Sequence, residues 1–268
     1  MTNVGAQGDD DGEQTFADSA KNLEERIRQH DELRDEEDFR AQQKRLNRLT
    51  FSFIDAVRAA AAVCTRDPDS ARKLLQFSMD DFIESALSIY MLGEQGIFNV
   101  GRRELRYMLE AGAKAVYVDD QLPGTASLDE RLAYLADNSN VPRSSINVVD
   151  QMPLRLLADP GEFRRSVHSA FGALSGYTHV SRRMLDERVR RISRDEGMGF
   201  EQASTLRVFN SLVALTYDLV LAMILEGIGP MFAGDLFRHV FDFEDRWPYA
   251  KTRFISHISA GFDYRHTR

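Results

Sequence analysis

The sequence predicts an all-α protein, a bundle of about seven to nine helices. Apolar side chains recur at helical spacing of three and four residues along most of the chain. The clearest β-branched run, INVVD at 146–150, is too short to found a sheet. All seven prolines lie in or beside the breaks between the periodic segments, where helices are expected to end.

The N-terminal part of the chain differs in composition from the rest. Residues 1–14 hold little to bury and predict disorder. Residues 15–49 predict a charged helix with a thin apolar stripe that includes Leu23 and Ile27. Such a helix either packs by one edge on the body of the protein or on a partner chain, or is a solvent-exposed arm. The helical bundle domain is expected at 50–245, followed by a C-terminal tail at 246–268.

Three segments of the predicted bundle carry specific expectations. A helix that begins near residue 50 stops at TRDPDS, where Asp69 or Ser70 is placed to cap the next helix. Ser127 and Glu130 form a capping-box pattern. The helix at 99–120 has a core stripe in which Gly112 would allow close approach of a neighbour. That stripe consists of Leu105, Met108, Leu109, Gly112 and Val116.

An apolar run at 208–225 is long enough to cross a membrane, but Asp218 lies inside it. A mid-bilayer Asp costs about 2.5–3.5 kcal/mol on insertion scales. The run therefore predicts the buried central helix of a bundle rather than a membrane span. The single cysteine, Cys64, precludes an intramolecular disulfide and fits a cytoplasmic location.

Motifs for common cofactors and metals are absent from the sequence. It contains no phosphate-binding loop of the form G-x-x-x-x-G-K-[ST], no G-x-S-x-G and no H-E-x-x-H. None of the six histidines pairs with another at three- or four-residue spacing. We therefore expect neither a metal nor a cofactor.

Two charged features stand out against a net charge of −8. The helix at 99–120 carries Arg102, Arg106 and Glu110 in a ridge beside its core stripe, which is either a locally paired flank or the wall of a cleft that contacts phosphate. Between residues 155 and 194, nine arginines face only four acidic residues, as in a surface that holds a phosphate backbone. The abundance of arginine over the whole chain, 29 against 5 lysines, offers a compositional explanation instead.

The segments FNVGRRELRYMLEAGAKAVYVDD and ALSGYTHVS resemble helical bacterial and archaeal proteins of the HEPN-like type. Arg106, Leu109 and Glu110 match an R-x-x-L-E helix, and Ser175, Tyr177 and His179 match an S-x-Y-x-H segment. The resemblance covers roughly residues 70–225 and implies a HEPN-like core. Ribonuclease members of that family carry R-x4-6-H, a spacing that this sequence lacks.

Two functional hypotheses follow from the residues and the resemblance. The first is a protein that binds RNA or a nucleotide and acts as a metal-independent ribonuclease of the defence or toxin type. Its composite site would use His179 as the acid or base and arginines to stabilise the charged phosphate. The alternative is a non-catalytic scaffold that forms a homodimer and presents residues 19–49 to a protein partner. The candidate catalytic residues are His179, Arg106 and Arg102. The candidate binding residues are Arg103, Glu110, Ser175, Tyr177, Arg182 and Arg183.

Overall fold

A computed structural model describes residues 10–137, 139–142, 145–177, 181–194, 202–241 and 247–262. All regular structure in these residues is helical, which confirms the all-α class. The helices are α1 (Asp10–Arg34), α2 (Glu37–Cys64), α3 (Leu74–Glu94), α4 (Phe98–Gln121), α5 (Leu128–Ala136), α6 (Ser145–Gln151), α7 (Pro160–Ser175), α8 (Arg182–Ile192), α9 (Ala203–Ile228), α10 (Pro230–His239) and α11 (Arg253–Gly261), with a 3-10 turn at Ser70–Arg72.

The described part of the chain holds eleven α-helices, more than the seven to nine predicted. The charged N-terminal segment is two helices rather than one, because the backbone turns at Asp35 and becomes extended at Glu36. The proline-broken region forms the seven-residue α6, and the tail forms α11. Helix α1 begins at Asp10, and the expected boundary between residues 49 and 50 falls inside α2.

Helix α9 is the centre of the bundle and packs against α2, α4, α7, α10 and α11. It is the one described helix that is long and apolar enough to cross a membrane, and 72% of its most apolar window is buried inside the fold. The predicted core stripe of α4 is buried, including Gly112. A Cβ at Gly112 would lie 3.0 Å from the sulfur of Met223 on α9, so this glycine does permit close helix packing.

Three acidic side chains in the bundle hold the ends of other elements. Asp119 of α4 accepts hydrogen bonds from the backbone N–H groups of Leu74 and Leu75, at 2.8 and 2.9 Å, and so caps α3. The expectation that Asp69 or Ser70 would cap this helix is therefore wrong, since Ser70 begins the preceding 3-10 turn and Asp69 lies directly before that turn. Asp119 also pairs at 3.0 Å with Arg131, whose side chain is fully buried.

Asp218 and Glu226, both on α9, act in the same way. Asp218 accepts the hydroxyl hydrogen of Thr252 at 2.6 Å and the N–H groups of Phe254 and Ile255 at 3.3 Å, which caps α11. Glu226 accepts three consecutive N–H groups of the 155–157 loop at 2.7–3.0 Å. Burial raises the pKa of both carboxyl groups, and these hydrogen bonds offset part of that effect. Both acidic residues of the most apolar helix therefore have structural roles.

Candidate functional site

The first half of α4 and the end of α7 lie side by side and bring several predicted site residues together. The guanidinium of Arg106 donates to the hydroxyl of Ser175 at 2.5 Å and to Oε1 of Glu110 at 3.0 Å. Arg103, which is exposed, donates through Nε to the backbone carbonyl of Tyr177 at 2.8 Å. Two segments about seventy residues apart in sequence are thus joined by arginine side chains.

Arg102 is buried, with only 5% of its surface exposed, and it forms the centre of this junction. Its Nη1 donates to Oε1 of Glu187 at 2.6 Å and to Oδ1 of Asn99 at 2.7 Å. Its guanidinium carbon lies 4.2 Å from the centre of the Tyr177 ring, within cation–π range. The Tyr177 hydroxyl donates to the second oxygen of Glu187. We call these three side chains the Arg102–Tyr177–Glu187 cluster.

Glu187 is ionised because its two partners outweigh its burial. Burial alone raises the pKa of this carboxyl group, but the hydrogen bond from Tyr177 and the charge and hydrogen bond of Arg102 lower it further than burial raises it. The pKa of Glu187 therefore lies below its usual value of 4.5. The sequence offered no signal for this role, since the partners of Glu187 are 85 and 10 residues away.

A cavity of about 370 Å³ opens beside the cluster, between α8, the end of α7 and the first turns of α9. We call it the arginine-lined cleft. Its lining residues are Arg102, Tyr177, Glu187, Arg190, Arg191, Arg194, Ser204, Thr205 and Val208. Among the described residues that line the cleft, four carry a guanidinium group and one carries a carboxylate, and that carboxylate pairs with Arg102.

The first turn of α9 adds to the positive potential of the arginine-lined cleft. Gln202, the residue before α9, makes no side-chain cap, and Ser204 and Thr205 of the first turn line the cleft. Backbone N–H groups at a helix N-terminus carry a partial positive charge. Hydroxyl groups, helix N–H groups and arginines are the groups that bind phosphate in proteins.

A second cavity, of about 440 Å³, lies on another side of α8. Its lining residues are Gly96, Ile97, Phe98, Asn99, Arg103, Met184, Glu187, Arg188, Arg191 and Ile192. Glu187 and Arg191 line both cavities, so α8 separates two hollows that both contain arginines.

Arg182, a predicted binding residue, is not among the residues that line the two cavities. Its side chain is 94% exposed and lies 3.6 Å from the carboxylate of Asp186 on the same helix. Arg183 belongs to α8, but its side chain lies outside the described residues, as does the whole of His179, the predicted catalytic histidine. The arginine excess of the 155–194 segment indicated Arg190, Arg191 and Arg194 as a group, but no local pattern singled them out.

Comparison with protein-family models, with curated proteins and with solved structures finds no match to this chain.

Proposed function

We propose that the arginine-lined cleft binds the phosphate groups of RNA. The observation that carries this proposal is the convergence of three arginines, two hydroxyl groups and the α9 N-terminus on one cavity, where the one carboxylate among the described lining residues pairs with the buried Arg102. The protein as a whole carries a charge of −8, so a positive cleft is a local departure from its average. Its volume suits a ligand of nucleotide size.

The cleft favours contacts with the backbone of RNA over contacts with its bases. Tyr177 is the aromatic side chain among the described residues that line the cleft, but it is only 4% exposed and its ring is covered by Arg102. Sequence-tolerant stacking of bases needs an accessible aromatic face. Binding through phosphate alone depends steeply on salt and weakly on sequence.

Arg102 fits a positioning role better than a direct phosphate contact. Its guanidinium bonds to Asn99 and Glu187 and lies against Tyr177. Those contacts fix α8 against α4 and so set the direction in which α8 presents its arginines. Arg190 and Arg194 are exposed, and they are the residues we assign to the phosphates.

Binding of a labelled single-stranded RNA, followed by fluorescence anisotropy over a series of salt concentrations, tests this proposal. For each arginine that no longer reaches a phosphate, we expect the slope of log K against log salt to fall by about 0.7. The double variant Arg190→Ala/Arg194→Ala should therefore reduce the slope by about 1.4. Arg182→Ala is the matched control, because it removes an arginine of α8 that lies outside the cleft. Equal slopes for all three proteins would refute the proposal.

A ribonuclease activity and a HEPN-like kinship extend the same proposal. They are supported by the R-x-x-L-E helix and the Ser175–Tyr177 segment, which pack together through Arg103 and Arg106. His179 follows Tyr177 by two residues and would act as the acid or base. RNA cleavage in the presence of a chelator, compared between the wild type and His179→Ala, tests the catalytic step apart from binding. Retained cleavage by His179→Ala would exclude this role. Cytoplasmic location belongs to the same proposal, since RNA is the ligand.

A scaffold role is the second candidate, and α1 favours it. Leu23 and Ile27 are 49% and 46% exposed on the same face of α1. The helix contacts the body near its end, where Leu33 packs on the core and Arg34 donates to the carbonyl of Glu94. A protein partner that covers this face should protect the amide groups of α1 from hydrogen exchange, whereas Leu23→Asp should abolish that protection.

A further inference from the structure

Helix α8 turns its apolar side away from the rest of the protein. Leu185, Val189 and Ile192 are 47%, 65% and 69% exposed, whereas Glu187 and Arg191 face the body. An amphipathic surface helix normally does the opposite. Arg182 stands at the start of the outward side with 94% of its side chain exposed, and it lies 3.6 Å from Asp186 in the next turn, which is 59% exposed.

Helix α3 presents an acidic face. It contains no lysine or arginine. Glu84, Leu87 and Met91 follow one another along its exposed side, and the two apolar residues are 38% and 66% exposed. Asp80 and Asp81 extend the acidic part of this face toward the start of the helix.

The two faces match in spacing, and each begins with one member of an arginine–glutamate pair. Arg182, Leu185 and Val189 stand at positions i, i+3 and i+7 of α8, as Glu84, Leu87 and Met91 do on α3. In a parallel side-by-side arrangement, the arginine of one helix meets the glutamate of the other, and the apolar residues meet in the next two turns. Spacings that alternate between three and four residues are typical of two helices whose side chains interdigitate.

We propose that α8 of one molecule docks in parallel on α3 of a second copy of this chain, with Arg182 against Glu84 and Leu185 and Val189 against Leu87 and Met91. The contact joins two different surfaces, so each dimer keeps one free surface of each kind. Further copies can therefore add, which builds rings or filaments. It is small, and it is therefore expected to be weak and concentration-dependent. It does not depend on RNA binding at the arginine-lined cleft.

Sedimentation velocity of the full chain, from about 1 µM to about 500 µM, tests this contact. We expect the mean sedimentation coefficient to rise steadily with concentration, without a plateau at a dimer. A monomer throughout this range would overturn the proposal.

Charge reversal identifies the surfaces involved. Arg182→Glu and Glu84→Arg should each weaken association about two- to tenfold, because like charges then face each other. The double variant exchanges the two charges and should restore association to within about twofold of the wild type. Arg165→Glu is the matched control, since it reverses an exposed arginine of α7 outside both faces and should change nothing. Circular dichroism confirms that each variant folds.

Two results of this experiment would contradict the proposed pairing. If Arg182→Glu weakens association while Glu84→Arg does not, α8 meets another surface. If the double variant associates no better than the single variants, the two charges do not meet. In addition, Val189→Asp should abolish association because it places a charge in the apolar seam, and retained association would exclude α8 as the contact.

Discussion

The guanidinium carbon of Arg102 lies 4.2 Å from the centre of the Tyr177 ring. This contact ties α4 to the chain just after α7, and Glu187 of α8 bonds to both side chains. One buried cluster thus fixes three parts of the chain around the arginine-lined cleft. The contribution of this cluster to the free energy of unfolding should be measurable without any ligand.

Glu187→Gln should destabilise the fold by about 2–4 kcal/mol, because it leaves the buried Arg102 without its counter-charge. Urea denaturation measures this change. Asp186→Asn, which breaks an exposed ion pair on the same helix, should cost less than about 1 kcal/mol. Equal effects of the two substitutions would show that the Arg102–Glu187 pair contributes no more to the free energy of unfolding than an exposed ion pair does.

The difference between wild type and Glu187→Gln should depend on pH. The pKa of Glu187 is lowered in the folded protein, so the folded state releases this proton more readily than the unfolded state. The stability that ionised Glu187 contributes is full above its unfolded value of about 4.5 and is lost as the pH falls through the folded-state pKa. Denaturation curves of both proteins at several pH values below neutrality check this trend. A difference that grows toward low pH would contradict it.

Asp218→Asn should show the opposite trend. Burial raises the pKa of Asp218, partly offset by its hydrogen bonds, so the folded state holds this proton more tightly than the unfolded state. The free energy of unfolding of the wild type, relative to the variant, should therefore fall as the pH rises from 3.8 through the folded-state pKa, and then stay constant. The control is Asp235→Asn at an exposed position of α10, which should shift stability by less than about 0.5 kcal/mol. If the free energy of unfolding of the wild type, relative to Asp218→Asn, rises with pH over this range, the raised pKa of Asp218 is refuted.

Arg131→Met should destabilise the protein by about 3–5 kcal/mol. It removes the partner of Asp119, and both side chains are almost fully buried. Arg155→Met is a suitable comparison, because the pair of Arg155 with Asp120 leaves the arginine 68% exposed. That change should cost about 1 kcal/mol or less. Thermal and urea unfolding of both variants would separate the buried pair from the surface pair, and similar destabilisation of both would contradict the distinction.

Two glycine substitutions should have opposite signs. A Cβ at Gly172 of α7 meets nothing within 4 Å, so Gly172→Ala should stabilise the fold by about 0.5–1 kcal/mol through lower unfolded-state entropy and better helix propensity. A Cβ at Gly93 of α3 would lie 2.6 Å from a methyl group of Leu46, so Gly93→Ala should destabilise through overpacking by about 1–3 kcal/mol. Melting temperatures of both variants test this contrast. A stabilising Gly93→Ala would show that Leu46 moves aside at little cost.

Local patterns in the sequence predicted local structure well. The Ser127–Glu130 capping box is present, with both reciprocal hydrogen bonds formed. The core stripe of α4 is buried, because helical periodicity alone decides which side of a long helix is apolar. These features depend on residues three to seven positions apart, a range that a sequence displays directly.

Features that join distant parts of the chain could not be predicted in the same way. The cap of α3 comes from Asp119, 45 residues away, and no spacing rule connects the two. The orientation of α8 is a further example, since its amphipathic pattern does not say that Glu187 faces the body and that the apolar side faces outward. The arginine excess indicated the segment that lines the cleft, but the contribution of the α9 N-terminus depends on the tertiary fold.

The cap that Asp218 provides for α11 has a consequence for how the protein is made. Thr252, Phe254 and Ile255, which supply the three donors, are translated after the whole of α9. While the ribosome still holds these residues, the most apolar helix of the chain lacks both α11 and the partners of its buried acid. A nascent chain therefore passes through a stage in which α9 still exposes apolar surface. A chain truncated before residue 252 should be bound by chaperones and degraded by proteases.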